Sequence, residues 1–357
     1  MWASAGGGEC DELSWDRLAA ATAAAASFFS AQLGARPGWA PGYLASRGLW
    51  PRIWRQWGIG YAPSGWTALT SYLRGLGFPD DTTVAAGLAR RTARGTLIDV
   101  FRDRVMFPVR TLDAIVAGFI GRAPPGPSPP SSRSQSRKDT PVYLNTGLTP
   151  LYHKGELLFG LYEAQHALRA GAVPVLVEGP FDAIAVTASA GGRFAGLAPC
   201  GTALTAAQVS TLADAADLDA TGVLVAFDGD RAGRMAAVRA FPLLAAAASA
   251  AGAVTTVTLA DGQDPAGYLR DHGPGRLAEF LAGQQQPLAD LVVDARIDEF
   301  SRWLQYPEGI YNALRAAAAA IAQLPPQDVA RQVIRAARRL GVRHQEVTSA
   351  LIGAIEP

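Results

Sequence analysis

Lysine is almost absent from this sequence: Lys138 and Lys154 stand against 30 arginines in 357 residues. Acidic residues balance the arginines, so the formal net charge is only +1. Overall charge therefore does not indicate a nucleic-acid-binding protein, and any surface that binds phosphates must be a local concentration of arginine.

Cysteine and histidine are also scarce, with Cys10, Cys200 and four scattered histidines. This set cannot supply a four-ligand zinc site or a disulfide framework, which fits a reducing cytoplasm. The N-terminus lacks the basic segment of a signal peptide, and the uncharged stretches 18–35 and 240–260 are rich in Ala, Ser and Thr. Such stretches favour helices of a soluble cytoplasmic protein over membrane spans.

Two short runs carry the most informative chemistry, at residues 175–182 (VLVEGPFD) and 223–233 (VLVAFDGDRAG). Each begins with consecutive apolar residues and ends at an acid, which is typical of strands buried on both faces of a parallel sheet. The carboxyl ends of such strands share one edge, where ligands bind. We therefore expect Glu178, Asp182, Asp228 and Asp230 to gather there.

Such a gathering of carboxylates needs compensation. Two of them 4 Å apart repel by about 4 kcal/mol at an effective dielectric of 20. A divalent cation offers compensation, and hard oxygen ligands without His or Cys indicate Mg²⁺ or Mn²⁺. The alternative is that Asp182 and Asp230 only cap helices while Asp228 makes a turn with Gly229.

The segments EGPFD (178–182) and DGDRAG (228–233) resemble the Toprim signature of bacterial DnaG-type primases. The resemblance implies that Glu178, Asp228 and Asp230 hold two divalent ions. It also implies that the protein joins ribonucleotides into short RNA primers on single-stranded DNA. The segment 259–266 resembles the last acidic motif of the family and implies supporting roles for Asp264 and Asp182. Ala266 stands where the family has a further aspartate, which puts one outer metal contact in doubt.

Segments before the Toprim signature are similar to the polymerase core of the same family, at 43–49, 101–109, 118–122, 143–146 and 153–155. Residues 90–122 hold seven arginines against three aspartates. Arginine binds phosphate through a planar, bidentate fork. The resemblance implies contacts with nucleic acid or nucleotide by Arg102, Arg104, Arg122, Tyr143, Asn145 and Lys154. Val142 replaces a lysine of the family pattern.

The periodicity and the resemblance together predict an α/β protein: a Toprim parallel sheet, an α+β primase-core subdomain before it and a C-terminal helical bundle after it. The expected segments are an N-terminal Ala-rich helix (1–36), the core subdomain (37–172) with a disordered Pro/Ser loop (123–140), the Toprim domain (173–286) and the helical region (287–357). In the last segment Arg331, Arg335, Arg338 and Arg339 form a basic helix face, expected to be solvated.

The implied partners are single-stranded DNA and nucleoside triphosphates, with a replicative helicase and a separate zinc-module protein as further candidates, and no membrane. Two alternatives remain open. A Toprim nuclease would use the same acids with water as the nucleophile, and a catalytically weak primase relative would serve as a nucleic-acid or helicase adaptor. The sequence contains no P-loop pattern, which excludes a fused helicase.

Overall fold

A computed structural model describes residues 14–35, 38–126, 141–201, 203–248 and 253–355. The chain forms two compact units that meet in sequence between Leu157 and Leu158. The basic residues Arg133, Arg137 and Lys138 of the predicted Pro/Ser loop lie outside the described residues.

The first unit combines helices with a four-stranded antiparallel sheet of order β1-β4-β5-β6 and a small hairpin, β2-β3. Its elements are α1 (Trp15–Ala35), α2 (Trp39–Ser46), α3 (Pro51–Trp57), β1 (Gly60–Ala62), α4 (Ala68–Gly75), α5 (Asp80–Ala85), β2 (Ala89–Arg91), β3 (Leu97–Asp99), β4 (Arg104–Arg110), β5 (Val116–Arg122) and β6 (Tyr143–Asn145). This is the α+β arrangement expected for the primase-core subdomain.

Helix α1 packs on this sheet and is part of its core. The rings of Phe29 and Phe119 meet edge-on at 5.3 Å between centroids. Gly60 allows the close approach, since a Cβ there would lie 2.4 Å from the backbone of Phe29. Within the described ranges α1 alone is long and apolar enough to cross a membrane, a test that core helices also pass. Leu18, Ala25 and Phe29 are buried.

The second unit is built on a six-stranded sheet of order β12-β11-β10-β8-β9-β7. Its elements are β7 (Leu158–Phe159), α6 (Leu161–Arg169), β8 (Val173–Leu176), α7 (Pro180–Ser189), β9 (Phe194–Pro199), α8 (Ala206–Ala215), α9 (Leu218–Thr221), β10 (Val223–Val225), α10 (Arg231–Ala247), β11 (Val254–Thr256), α11 (Pro265–His272), α12 (Pro274–Gly283) and β12 (Gln286–Pro287). The four central strands are parallel, as predicted, and the two outer strands run antiparallel to their neighbours. The unit begins at Leu158, ahead of the predicted boundary at 172/173, because β7 pairs with β9.

The remaining helices follow in the same unit: α13 (Leu288–Asp298), a 3-10 turn (Ser301–Trp303), α14 (Pro307–Ile321), α15 (Pro326–Leu340) and α16 (His344–Ile355). Arg331, Arg338 and Arg339 on the arginine face of α15 are exposed, as expected, and three of its four arginines also form ion pairs with α13. Arg331 pairs with Asp290 at 2.6 Å, Arg335 with Asp294, and Arg339 with Asp298 at 2.5 Å. Acids at spacing four on α13 and arginines at spacing four on α15 thus join the two helices.

Candidate functional site

The carboxyl edge of the parallel sheet brings Glu178 and Asp228 together. Strands β8 and β10 are parallel neighbours, with Leu176 beside Val225. Glu178 lies two positions after the end of β8 and Asp228 three positions after the end of β10, so both acids lie at the same edge. The backbone N–H of Asp228 donates to Oε1 of Glu178 at 3.1 Å. The two runs identified in the sequence therefore meet through a direct hydrogen bond.

Asp230 closes the turn after Asp228 and begins helix α10. Its Oδ1 accepts the N–H of Gly233 at 2.8 Å, which makes Asp230 the N-cap. Gly233 packs against the acids, since a Cβ there would lie 2.2 Å from the carbonyl oxygen of Asp228 and 2.8 Å from Oε1 of Glu178. Glycine at this position lets the helix start directly beside both carboxylates.

Asp182 and Asp264 connect neighbouring helices to this edge. Asp182 is buried, and its Oδ1 accepts the N–H of Ala266 at 3.1 Å, which ties α7 to the start of α11. Asp264 caps α11 by accepting the N–H of Gly267. Ala266, at the position of the missing family acid, is itself buried. Asp182 thus acts across two helices rather than only as a cap, whereas Asp230 does make the capping contact of the simpler interpretation; Asp264 is a further N-cap.

The electrostatics of the edge are unfavourable to the ionised form of Glu178. Partial burial raises the pKa of Glu178, and the charges of Asp230 and Asp264 raise it further, while the N–H of Asp228 opposes the shift. Glu178 remains solvent-accessible as a residue, so desolvation affects the inner part of its carboxyl group. Self-repulsion is therefore present in the protein alone, and a bound cation would relieve it.

The donor chemistry of the edge fits a hard divalent cation, but the side chains do not enclose one as they stand. Among the described residues, no three acidic, His or Cys side chains are close enough to form a ligand group. The cap contact uses one oxygen of Asp230, and the hydrogen bond from Asp228 engages one oxygen of Glu178. A carboxylate has several lone pairs, so modest side-chain rotation could add a metal bond while each contact persists.

In the first unit, Arg104 lies in the interior. Only 4% of its surface is exposed. Its guanidinium donates to the carbonyl oxygens of Gly121 at 2.9 Å, Pro141 at 3.0 Å and Val142 at 3.3 Å. Burial lowers its pKa, as do the neighbouring Arg102 and Arg122. The phosphate contact predicted for Arg104 stays a prediction, one that this burial does not favour.

Replacing Arg104 by Met should therefore act on stability. Three carbonyl groups would lose their donor, and we expect a loss of about 2–4 kcal/mol in the free energy of unfolding. Denaturant unfolding of Arg104→Met, with exposed Arg94→Met as the matched control, measures it. An unchanged unfolding curve combined with a weaker salt dependence of DNA binding would restore Arg104 as a phosphate ligand.

Arg102 has a different environment, although it stands only two residues before Arg104. Its guanidinium lies 4.3 Å from the ring centre of Trp66, and 60% of the surface of Trp66 is exposed. The loop that carries Trp66 is fixed by two backbone hydrogen bonds, from Asp99 to Trp66 at 2.8 Å and from Asp103 to Pro63 at 3.2 Å. Trp66 is not among the residues predicted from the sequence. Its only sequence signal for nucleic-acid binding is an aromatic residue near the arginine-rich segment.

Asp103 separates the two arginines. Its φ of +49° is in the left-handed region, which costs about 1–3 kcal/mol for a residue other than glycine. Its Oδ1 accepts from Nε1 of Trp39 and from the hydroxyl of Tyr61, both at 2.7 Å. Burial and Asp103 raise the pKa of Tyr61, which keeps its phenol protonated as a donor. These contacts hold the backbone in the conformation that directs Arg102 and Arg104 differently.

The other predicted contacts of the first unit are at or near its surface. Arg122 donates to the carbonyl oxygen of Ala123 at 2.7 Å and lies 5.3 Å from the ring centre of Tyr143 and 5.6 Å from that of Tyr43. Tyr143 and Lys154 are exposed, and Asn145 is partly exposed on β6. Their predicted contacts with nucleic acid or nucleotide remain predictions.

Two family models match the chain. Residues 28–165 match the N-terminal domain of the DNA primase catalytic core, and residues 175–269 match the Toprim-like domain. The DNA primase of Neisseria meningitidis is 34% identical over 265 residues, which are 74% of this chain and 41% of that protein. The chain thus spans about two fifths of the length of this curated relative.

Solved structures match over nearly their whole length. A DNA primase domain from Pseudomonas aeruginosa has a TM-score of 0.75 and 30% identity, covering 94% of this chain and 99% of that one. The DnaG primase catalytic domain bound to single-stranded DNA has a TM-score of 0.72 and 29% identity, covering 92% and 98%. With both domains in order and a primase domain matched almost end to end, the chain belongs to the DnaG-type primase family.

Proposed function

We propose that this chain is the polymerase core of a DNA primase, which joins ribonucleotides into short primers on a single-stranded DNA template. The observation that carries the proposal is the acid edge: Glu178 and Asp228 are joined by a hydrogen bond beside β8 and β10, Asp230 caps the helix that follows, and Asp182 and Asp264 lie in the adjacent helix starts. Family membership supports the reaction class. A solved relative bound to single-stranded DNA supports the template class.

Glu178, Asp228 and Asp230 would hold divalent cations, Mg²⁺ or Mn²⁺. When bound, such ions activate an attacking hydroxyl and neutralise charge on the departing group. The chain's own residues set the geometry for this. The strand ends fix Glu178 and Asp228, the N-cap fixes Asp230, and Asp182 and Asp264 hold the neighbouring helix α11.

The first unit would bind the template and the incoming nucleotide. Trp66 offers an exposed ring for a nucleobase and Arg102 beside it offers charge for a phosphate, the combination typical of single-strand binding surfaces. Arg122 with Tyr143, Asn145 and Lys154 would contact nucleotide or template. Arginine suits a bidentate contact with phosphate, and Lys154 acts as a point charge.

One assay separates this function from the alternatives. The protein is incubated with single-stranded DNA and labelled ribonucleoside triphosphates, with Mg²⁺ or Mn²⁺, and both new primers and template fragments are measured. Primer synthesis supports the proposal. Shortened template without synthesis would identify a Toprim nuclease instead, and DNA binding with neither product would identify a non-catalytic adaptor.

Two further partners belong to the proposal. The first is a zinc-module protein, which the likeness to DnaG-type primases suggests and which would improve initiation and template choice. A replicative helicase is the second candidate. Adding each purified partner to the primer assay and measuring initiation tests both.

Replacing Glu178 by Gln should stabilise the metal-free protein at neutral pH. The raised pKa of Glu178 means that its ionisation costs folding energy. This cost is absent below the ordinary glutamate pKa and grows as the pH rises through the raised value. Thermal unfolding in EDTA should therefore give a higher Tm for Glu178→Gln than for wild type at pH 7, and equal values in acid.

The matched control is Glu279→Gln, because Glu279 is an exposed residue on α12. Its Tm should follow wild type. Adding Mg²⁺ or Mn²⁺ should raise the Tm of wild type more than that of Glu178→Gln. A lower Tm for Glu178→Gln in EDTA at pH 7 would contradict the self-repulsion assigned to this edge.

A further inference from the structure

Gly229 lies between the two central acids, and both of its backbone polar groups are hydrogen-bonded. Its N–H donates to the carbonyl oxygen of Gln263 at 3.0 Å, and its carbonyl oxygen accepts from Nη1 of Arg234 at 2.7 Å. There is no room for movement toward the neighbouring loop, since a Cβ at Gly229 would lie 2.0 Å from the carbonyl oxygen of Ala260. The turn 228–230 is therefore fixed by two hydrogen bonds and by close packing against the neighbouring loop.

Arg234 reaches this turn from the first turn of α10. Its backbone N–H donates to the carbonyl oxygen of Asp230 at 3.2 Å, and its side chain turns back to Gly229. The residue is largely exposed, yet its guanidinium tip ends at a buried glycine.

We infer that Arg234 is a positioning residue for the acid edge: by holding the Gly229 carbonyl, it sets the separation of the Asp228 and Asp230 carboxylates. The inference rests on the proposed function, in which those carboxylates hold metal. Asp228 is held by its strand and Asp230 by its helix cap. The backbone of Gly229 between them therefore determines how the two carboxylates face each other. Arg234 itself touches neither metal nor substrate.

The hydrogen bond of the Gly229 N–H links the turn to a third acid, Asp264. The carbonyl of Gln263 that receives the Gly229 N–H directly precedes Asp264, the cap of α11. Two residues after Asp264, the backbone N–H of Ala266 donates to Oδ1 of Asp182 at 3.1 Å. Loss of the bond to the Gly229 carbonyl would therefore also loosen the contact between the turn and the loop that carries Asp264.

Metal affinity and turnover provide the first test. We expect Arg234→Met to weaken Mn²⁺ binding by about ten- to a hundredfold, the usual effect of losing a group that orients metal ligands. Arg234→Lys keeps a donor and should recover part of the affinity. In primer synthesis, kcat should fall while the KM for nucleotide stays near wild type. Arg239→Met, an exposed change on the same helix, is the matched control.

Salt separates geometry from charge. Loss of a positive charge beside a cation site would by itself strengthen Mn²⁺ binding, and this effect would shrink strongly between 50 and 500 mM salt. Loss of a hydrogen bond at a packed turn would weaken Mn²⁺ binding at every salt concentration. We therefore expect the difference in Mn²⁺ affinity between wild type and Arg234→Met to be retained at 500 mM salt. A difference that vanishes at high salt would overturn the positioning role.

Hydrogen exchange in EDTA tests the stability of the turn 228–230 without metal or turnover. Peptides covering residues 227–233 should exchange about tenfold faster in Arg234→Met than in wild type or Arg239→Met, because the Gly229 carbonyl loses its donor and the backbone N–H groups of the loosened turn open more often. Unchanged exchange together with unchanged Mn²⁺ affinity would overturn the inference. Faster exchange in a protein whose Mn²⁺ binding does not depend on Asp228 would support the positioning role and refute the proposed metal function instead.

Discussion

Asp228→Asn is expected to abolish primer synthesis, with a loss of at least about a hundredfold in kcat, while the protein remains folded. Loss of a residue that merely orients a metal ligand usually costs 10–100-fold in affinity or activity, so removal of a charged central ligand should cost more. The backbone N–H that bonds Glu178 is kept in this variant. Removing one negative charge from a crowded edge should leave the Tm in EDTA equal or higher.

Asp271→Asn is the matched control, since Asp271 is an exposed acid of the same unit that pairs with Arg270. It should retain wild-type synthesis. Mn²⁺ titration completes the measurement, because Asp228→Asn should bind the ion more weakly even without nucleotide. Near-normal synthesis by a folded Asp228→Asn protein would remove Asp228 from the metal site and end the proposed mechanism.

The acid edge could be predicted from sequence because its main features are local. Apolar runs that end in Glu178 and Asp228 define strands, and parallel strands must deliver their ends to one edge. The sequence did not reveal two specific contacts: the long-range bond from Ala266 to Asp182, and the return of the Arg234 side chain to Gly229, five residues before it. Neither contact leaves a periodic signal.

The arginines show why residue type alone is insufficient. In a regular strand, Arg102 and Arg104 would share a face because side chains alternate with period two. The left-handed conformation of Asp103 breaks that alternation, so Arg104 enters the core and Arg102 lies over Trp66. The ion pairs of α15 had a visible signal, the matching spacing of four on α13, but which helices pair is decided by the fold.

Trp66→Ala should weaken binding of single-stranded DNA by about tenfold without changing its salt dependence. Stacking of a base on an aromatic side chain is worth about 1–3 kcal/mol and involves no phosphate charge. Trp303→Ala is the matched control, because Trp303 is 59% exposed against 60% for Trp66 and lies in the other unit. Trp66→Phe keeps a ring and should retain most of the affinity.

Arg102→Ala tests the charge beside that ring and should give the complementary result. Each phosphate neutralised on a single strand contributes about −0.7 to the slope of log affinity against log salt, so losing one contact should flatten the slope by about 0.7. Titrations of wild type, Trp66→Ala and Arg102→Ala at several salt concentrations therefore separate stacking from charge. If both variants bind like wild type at every salt concentration, the Trp66–Arg102 pair is only a surface contact. The template would then have to follow other residues, of which Arg122 with Tyr143 is the next candidate because its guanidinium also lies beside an exposed ring.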